Sequence, residues 1–171
     1  MTVSHEHGDH NYTGGVKGKF SIRRQAGQYS EKGIEITGVD TAHDGMGGKM
    51  RGRNVIFNIA VDGIHVCHCG DLGHLLTPEQ IKEIGHVDVL LIPVGGFYTI
   101  DHDQAANFVG QLKPTVVVPM HFKTACTSYP IKDAEPFVKA MGGAKKINGT
   151  TIELNKDNLK DYAGVILLDY E

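Results

Sequence analysis

The chain has 171 residues, enough for one compact domain, with 40% apolar and 22% charged residues, a normal globular balance. A formal charge of -3 gives no sign of a nucleic-acid or membrane-surface binder. No apolar run is long enough to span a bilayer, and the odd set Cys67, Cys69 and Cys126 argues against a disulfide framework.

In chain order the first feature is His5-Glu6-His7-Gly8-Asp9-His10. In an extended segment side chains alternate, so His5 and His7 point the same way and can share one metal ion. Gly8 permits a sharp turn, after which Asp9 and His10 can face a second ion. Imidazole and carboxylate together suit Zn, Mn or Fe. Four candidate ligands in six residues is a specific pattern, unlike the plain histidine run of an expression tag.

The elements follow. Phe20 to Arg24 is a short candidate strand. Ile34 to Val39 is a better one and runs on to His43. Asp44 to Arg53, rich in Gly and Met, reads as a mobile loop. Asn54 to Val61 and Ile64 to Cys69 flank Asp62-Gly63, a hairpin signal. Thr77-Pro78-Glu79-Gln80 reads as a helix start, with Thr as cap and Gln three residues later, and the helix ends near Gly85. Val87 to Val94 is a strand buried on both faces. Asp101 to Leu112 is an amphipathic helix stopped by Lys113-Pro114. Thr115 to Met120 is another buried strand, and Ala134 to Met141 a helix. Lys145 to Leu154 reads as a hairpin turning at Asn148-Gly149, and Val165 to Leu168 as a last strand. The alternation implies βαβ units in a single α/β domain.

Three further ligand-type residues stand at strand ends: His43, then Asp71 in Cys69-Gly70-Asp71, then His121 in Pro119-Met120-His121. Sites of open α/β sheets collect where strands end, and core packing does not need these residue types there.

The run His-x-His-x-Asp-His, then a lone His, a Gly-Asp and another lone His resembles the metallo-β-lactamase superfamily, over essentially the whole chain. Cys69 to Gly73, Asp88 to Gly96 and Val118 to His121 resemble its lactonase-like Zn-dependent hydrolases. The resemblance implies a four-layer αβ/βα sandwich and two divalent ions, Zn first, Mn or Fe otherwise. It places His5, His7 and His43 on one ion and Asp9, His10 and His121 on the other, with Asp71 bridging. It implies a hydroxide held between the ions as nucleophile, acting on an ester, lactone or phosphodiester of a small molecule. Asp9, Asp71 and His74 are the residues expected to take part in catalysis, His74 by contacting substrate or donating a proton. The family's opening strands, with a Gly-His pair and an Asp, have no counterpart before Met1. The domain, residues 1–171, therefore reads as N-terminally truncated. An exposed sheet edge would then favour homo-oligomers, and a non-catalytic or weakly active metal-binding remnant that relies on association is the alternative reading.

Several other residues can be weighed. His68 is placed opposite the two thiols of its strand, in a packing role, and Cys67 and Cys69 read as buried small apolar residues. Tyr98 can line a substrate pocket, and Lys123 and Thr124 can hold an anionic group. The expected partner is a small-molecule substrate, with no nucleic acid and no membrane. The cysteine usage, with no disulfide framework, makes a reducing, cytoplasmic setting the expectation, and no signal peptide is read before the first motif.

Overall fold

The computed structural model describes residues 1–170. Its strands are β1 (Gly27–Glu31), β2 (Ile34–Ala42), β3 (Arg53–Val61), β4 (Ile64–His68), β5 (Val89–Pro93), β6 (Val116–Met120), β7 (Lys145–Ile147) and β8 (Gly164–Leu168). The helices are α1 (Pro78–Ile84), α2 (His102–Leu112) and α3 (Glu135–Ala140), with a 3-10 turn at Leu159–Tyr162. The strands form one mixed sheet in the order β1-β2-β3-β4-β5-β6-β8-β7. β1 to β4 meander antiparallel, and β4, β5, β6, β8 and β7 run parallel.

Local chemistry explains most of these elements. Asp62 and Gly63 both take positive φ, 49° and 77°, as a two-residue hairpin turn between β3 and β4 requires. Thr77 caps α1 in a full capping box with Gln80, and Asp101 caps α2 in the same way with Gln104. α2 ends on Lys113 in the left-handed conformation, φ 51°, just before Pro114.

The alternation of β5 sorts its residues between two clusters. Leu90 and Ile92 join the larger core with Phe108, Val109 and Phe137 of the helices and Val39, Ile56 and Val117 of the sheet. Val89 joins Val116, Leu159 and Ile166 on the opposite face, where the segment around 148–162 packs through Ile152, Leu154 and Tyr162. The described residues thus supply one sheet of the expected sandwich, with its helices on one face. No helix among them is long and apolar enough to cross a membrane.

Three local expectations are corrected. The strand near the start lies at Gly27–Glu31 rather than Phe20 to Arg24, where only Arg23 bridges Thr2. Ser21 and Arg23 instead bind Glu31 of β1 with their side chains. Lys145 to Leu154 is no hairpin: β7 pairs parallel with β8, and the residues beyond Ile147 leave the sheet. The Asn-Gly pair still turns the chain, but into a loop closed by Gly149, whose N–H donates to Asp169. The Asp44 to Arg53 loop is not loose. The Asp44 carboxylate accepts from the backbone N–H groups of Met46, Gly48, Met50 and Arg51, at 2.7–2.9 Å.

Candidate metal centre

Topology explains why distant residues meet. β2 is antiparallel to β3 and β3 to β4, so β2 runs with β4, and β4, β5 and β6 are parallel. The C-terminal ends of β2, β4 and β6 therefore lie on one edge, and His43, Asp71 and His121 leave the sheet there. The N-terminal segment reaches the same edge because Val55 donates to the Ser4 carbonyl at 2.8 Å and Val3 to that of Arg23 at 2.9 Å. The turn at 7–10 closes with His10 and Asn11 donating to the His7 carbonyl, and it needs no positive φ at Gly8.

Asp71 is the hub. Its Oδ2 stands 3.2 Å from His43 Nε2, 3.5 Å from His121 Nε2, and 3.7 Å from both His5 Nε2 and His10 Nε2. His7 joins through His5 and His43, ring centroids 4.9 and 5.0 Å away. Asp9 Oδ2 lies 3.5 Å from His10 Nε2 with its side chain largely exposed. All seven residues expected as ligands are thus gathered at one place. His5, His7 and His43 bring one ligand atom each within mutual reach of a single ion, and so do His5, His10 and Asp71.

The donor set fits metal. Donors about 2.0–2.2 Å from a tetrahedral ion stand about 3.3–3.6 Å from one another, close to the spacings around Asp71. His5 Nδ1 meets Ser4 Oγ at 2.9 Å, while its Nε2 is buried, has no hydrogen-bond partner and faces the cluster. An orphaned buried imidazole nitrogen is costly unless something binds there.

Electrostatics follow the packing. Burial pushes the Asp71 carboxyl up, but the His43 contact and the His121, His10 and His5 rings outweigh it and hold the group at about 2. Burial lowers His5 to about 4 against the pull of Asp71. Burial also opposes charge on His43, yet the contact and charge of Asp71 raise it.

Asn54, a support of these ligands, carried no sequence signal of its own. Asn54 is fully buried beneath Asp71. Its Oδ1 accepts from the Asp71 N–H at 3.0 Å, and its Nδ2 donates to the Cys69 carbonyl and to Thr41 Oγ1, both at 2.9 Å. Gly70 has φ 55°, and a Cβ there would overlap Asn54 and Ser4. A Cβ on Gly73 would overlap the His43 backbone, and one on Gly95 the carbonyl of His121. His121 itself sits at φ 51°, a conformation non-glycine residues rarely hold, with its carbonyl bonded to the Gly95 N–H. The Tyr98 carbonyl contacts His43 Nδ1 at 3.1 Å, orienting that ring. The glycines were visible as motif letters, but their close approaches exist only in the fold.

His74 is corrected as a catalytic candidate. Its Nε2 accepts from the Ala42 N–H at 3.0 Å and its Nδ1 lies 2.7 Å from the Leu75 carbonyl, so both ring nitrogens are engaged by backbone. It braces the end of β2 instead of facing the ligands. His68 packs as expected, with Nδ1 accepting from the Gly70 N–H, and Cys67 and Cys69 are fully buried. A cavity of about 320 Å³ opens over the ligands, lined by His7, Asp9, His10, His43, Arg51, Asp71, Tyr98, His121 and Tyr129. Tyr98 lines it as expected. Lys123 lies in a different cavity with Phe122 and Glu135, so Arg51 is the cation that lines the cavity over the ligands.

A histidine-rich centre on the C-terminal edge of a mixed sheet defines a class, the metal-binding α/β hydrolases. The family model of the beta-lactamase superfamily domain matches residues 1–121. A metal-dependent hydrolase from Pyrococcus abyssi is 31% identical over 174 residues, covering 86% of this chain and 76% of its own length. One from Thermococcus onnurineus is 32% identical over 134 residues, 76% of this chain and 58% of the relative. A crystal structure from Thermotoga maritima of the metallo-beta-lactamase superfamily superposes with a TM-score of 0.78 at 35% identity, covering 98% of this chain and 79% of that one. The chain belongs to the metallo-β-lactamase superfamily, among its metal-dependent hydrolases.

Proposed function

We propose that the chain is a dinuclear hydrolase acting on an ester, lactone or phosphodiester bond of a small molecule. The observation that carries this reading is the placing of four imidazole Nε2 atoms within 3.2–3.7 Å of one oxygen of Asp71. His5, His7 and His43 would hold one ion, Asp9, His10 and His121 the other, and Asp71 would bridge. Zinc suits this imidazole-rich set best, and manganese or iron would be accepted by the same donors. Bound metal lowers the pKa of water from 15.7 to about 7 and so makes hydroxide available at neutral pH.

The chain's own groups do the rest. Ser4 and the Tyr98 carbonyl orient His5 and His43. Asp71, held ionised, supplies negative charge at the centre of the cluster. Through the carboxylate oxygen left free by the second ion, Asp9, exposed on the cavity wall beside His10, would carry a proton to the leaving group. The cavity size suits a small substrate.

Metal analysis of the purified, reconstituted chain should find close to two ions per chain, and Asp71→Ala should lose at least one of them together with all turnover. Lactones, thioesters and bis(p-nitrophenyl) phosphate form the substrate panel. No bound metal after reconstitution with Zn or Mn, or unchanged turnover in Asp71→Ala, would sink the reading.

A further inference from the structure

We propose that Arg51, over the ring of Tyr98, is an oxyanion clamp, and that the molecule taken into the cavity carries a fixed negative charge next to an apolar or aromatic group. Only the statement that this molecule is hydrolysed rests on the reading above.

Three of the four arginines are matched by carboxylates: Arg23 by Glu31, Arg24 by Glu6 and Arg53 by Asp40. Arg51 forms no ion pair among the described residues, although it is half-buried in the cavity wall. A partly desolvated cation without a counter-charge favours taking one from solution. The fork of a guanidinium fits a carboxylate or a phosphate with two parallel hydrogen bonds. The two carboxylates of the cavity, Asp9 and Asp71, are already among the imidazoles, so neither competes for Arg51.

The position is preorganised. The Arg51 N–H donates to Asp44 at 2.7 Å, and the same carboxylate fixes the backbone at 46, 48 and 50. The guanidinium carbon stands 5.5 Å from the centre of the Tyr98 ring, within cation–π range. The Tyr98 ring meets Phe97 edge-on at 4.7 Å and Tyr129 at 6.1 Å, and those two rings are 61% and 58% exposed. Exposed aromatic faces around a cation suit a ligand whose apolar part lies beside its anion.

Calorimetric titration of the zinc-reconstituted protein tests this, with benzenesulfonate and benzoate as anions and benzyl alcohol as the neutral control. The wild type should bind both anions more tightly than the alcohol. Arg51→Ala should weaken the anions about tenfold or more and leave the alcohol unchanged. Arg51→Lys, which keeps the charge without the fork, should recover part of the loss. Should Arg51→Ala not fold, Arg51→Gln carries the same reading. A preference for benzoate marks a carboxylate and one for benzenesulfonate a phosphate-like group, and both support the clamp. Equal anion affinity in wild type and variant, or no preference of the wild type for anions over benzyl alcohol, overturns it. If anion binding depends on Arg51 while the whole substrate panel stays uncleaved, the hydrolase reading falls and the clamp stands.

Discussion

Asn54 shows how much of the centre depends on a residue with no metal-ligand chemistry. Its amide joins β2, β3 and the Asp71 loop through three hydrogen bonds of 2.9–3.0 Å. Asn54→Ala leaves the Asp71 N–H and the Cys69 carbonyl unsatisfied in a dry place, at a cost of about 1–3 kcal/mol. It also frees the hub carboxylate to tilt, so metal affinity should fall about 10–100-fold. Urea unfolding and competition with a zinc chelator would measure the two losses; an unchanged zinc affinity would show that Asp71 holds its orientation without the amide. Asp71 and the histidines were legible because metal ligands come from a small set of side chains. Asn54 was not, because a buried amide in a β-rich run has the same letters whether it braces a site or a turn.

At the scale of elements, helix starts were the most legible part of the chain. Thr77 and Gln80 make both bonds of the capping box, and Gln80 also donates to the Asp40 carbonyl at 2.8 Å, tying α1 to the end of β2. Thr77→Ala should cost about 1 kcal/mol, measurable as a shift of the denaturation midpoint without a change in its slope. No change would mean that the Gln80 tie alone holds the helix start. Strand partners were less legible. Lys145–Ile147 and Asn148-Gly149 have the letters of a hairpin, but β8 takes the strand as a parallel neighbour, and nothing local encodes a partner 21 residues away. The Asp44 to Arg53 loop looked mobile because Gly and Met are common in mobile loops. One carboxylate accepting four backbone N–H groups decided otherwise.

For the whole molecule, the buried charges set a pH profile. His5 in the fold is lowered to about 4 from its usual 6.5, so the unfolded chain takes its proton first, and this stability is lost as pH falls from about 6.5 through 4. Asp71 is lowered to about 2 from 3.8, so its contribution, present above about 4, is lost as pH falls through 2. His43 is raised, which gives a contribution of the opposite sign, present below 6.5 and lost as pH rises through its higher folded value. Metal-free protein should therefore lose stability in two acid steps. His5→Gln should flatten the upper one in thermal melts across pH, and a profile identical to wild type would show that His5 does not carry it. Metal acts in the other direction. Zinc at about 100 times its dissociation constant should add about 2.7 kcal/mol, or about 5–10 °C in Tm for a chain of this length. A Tm indifferent to zinc would place the metal outside the folded histidine cluster.

The sequence by itself determined the α/β class, the Thr77 helix cap, the Asp-Gly hairpin and the identity of seven residues that gather at one place. Each of these rests on side-chain chemistry or on bonds between residues a few positions apart. Only the tertiary structure decided that Asn54 and three glycines seat the ligands, that His74 faces the backbone and that Arg51 stands over the cavity. Those facts depend on which strands are neighbours and how closely their backbones approach, and chain-distant contacts of that kind leave no local pattern to read.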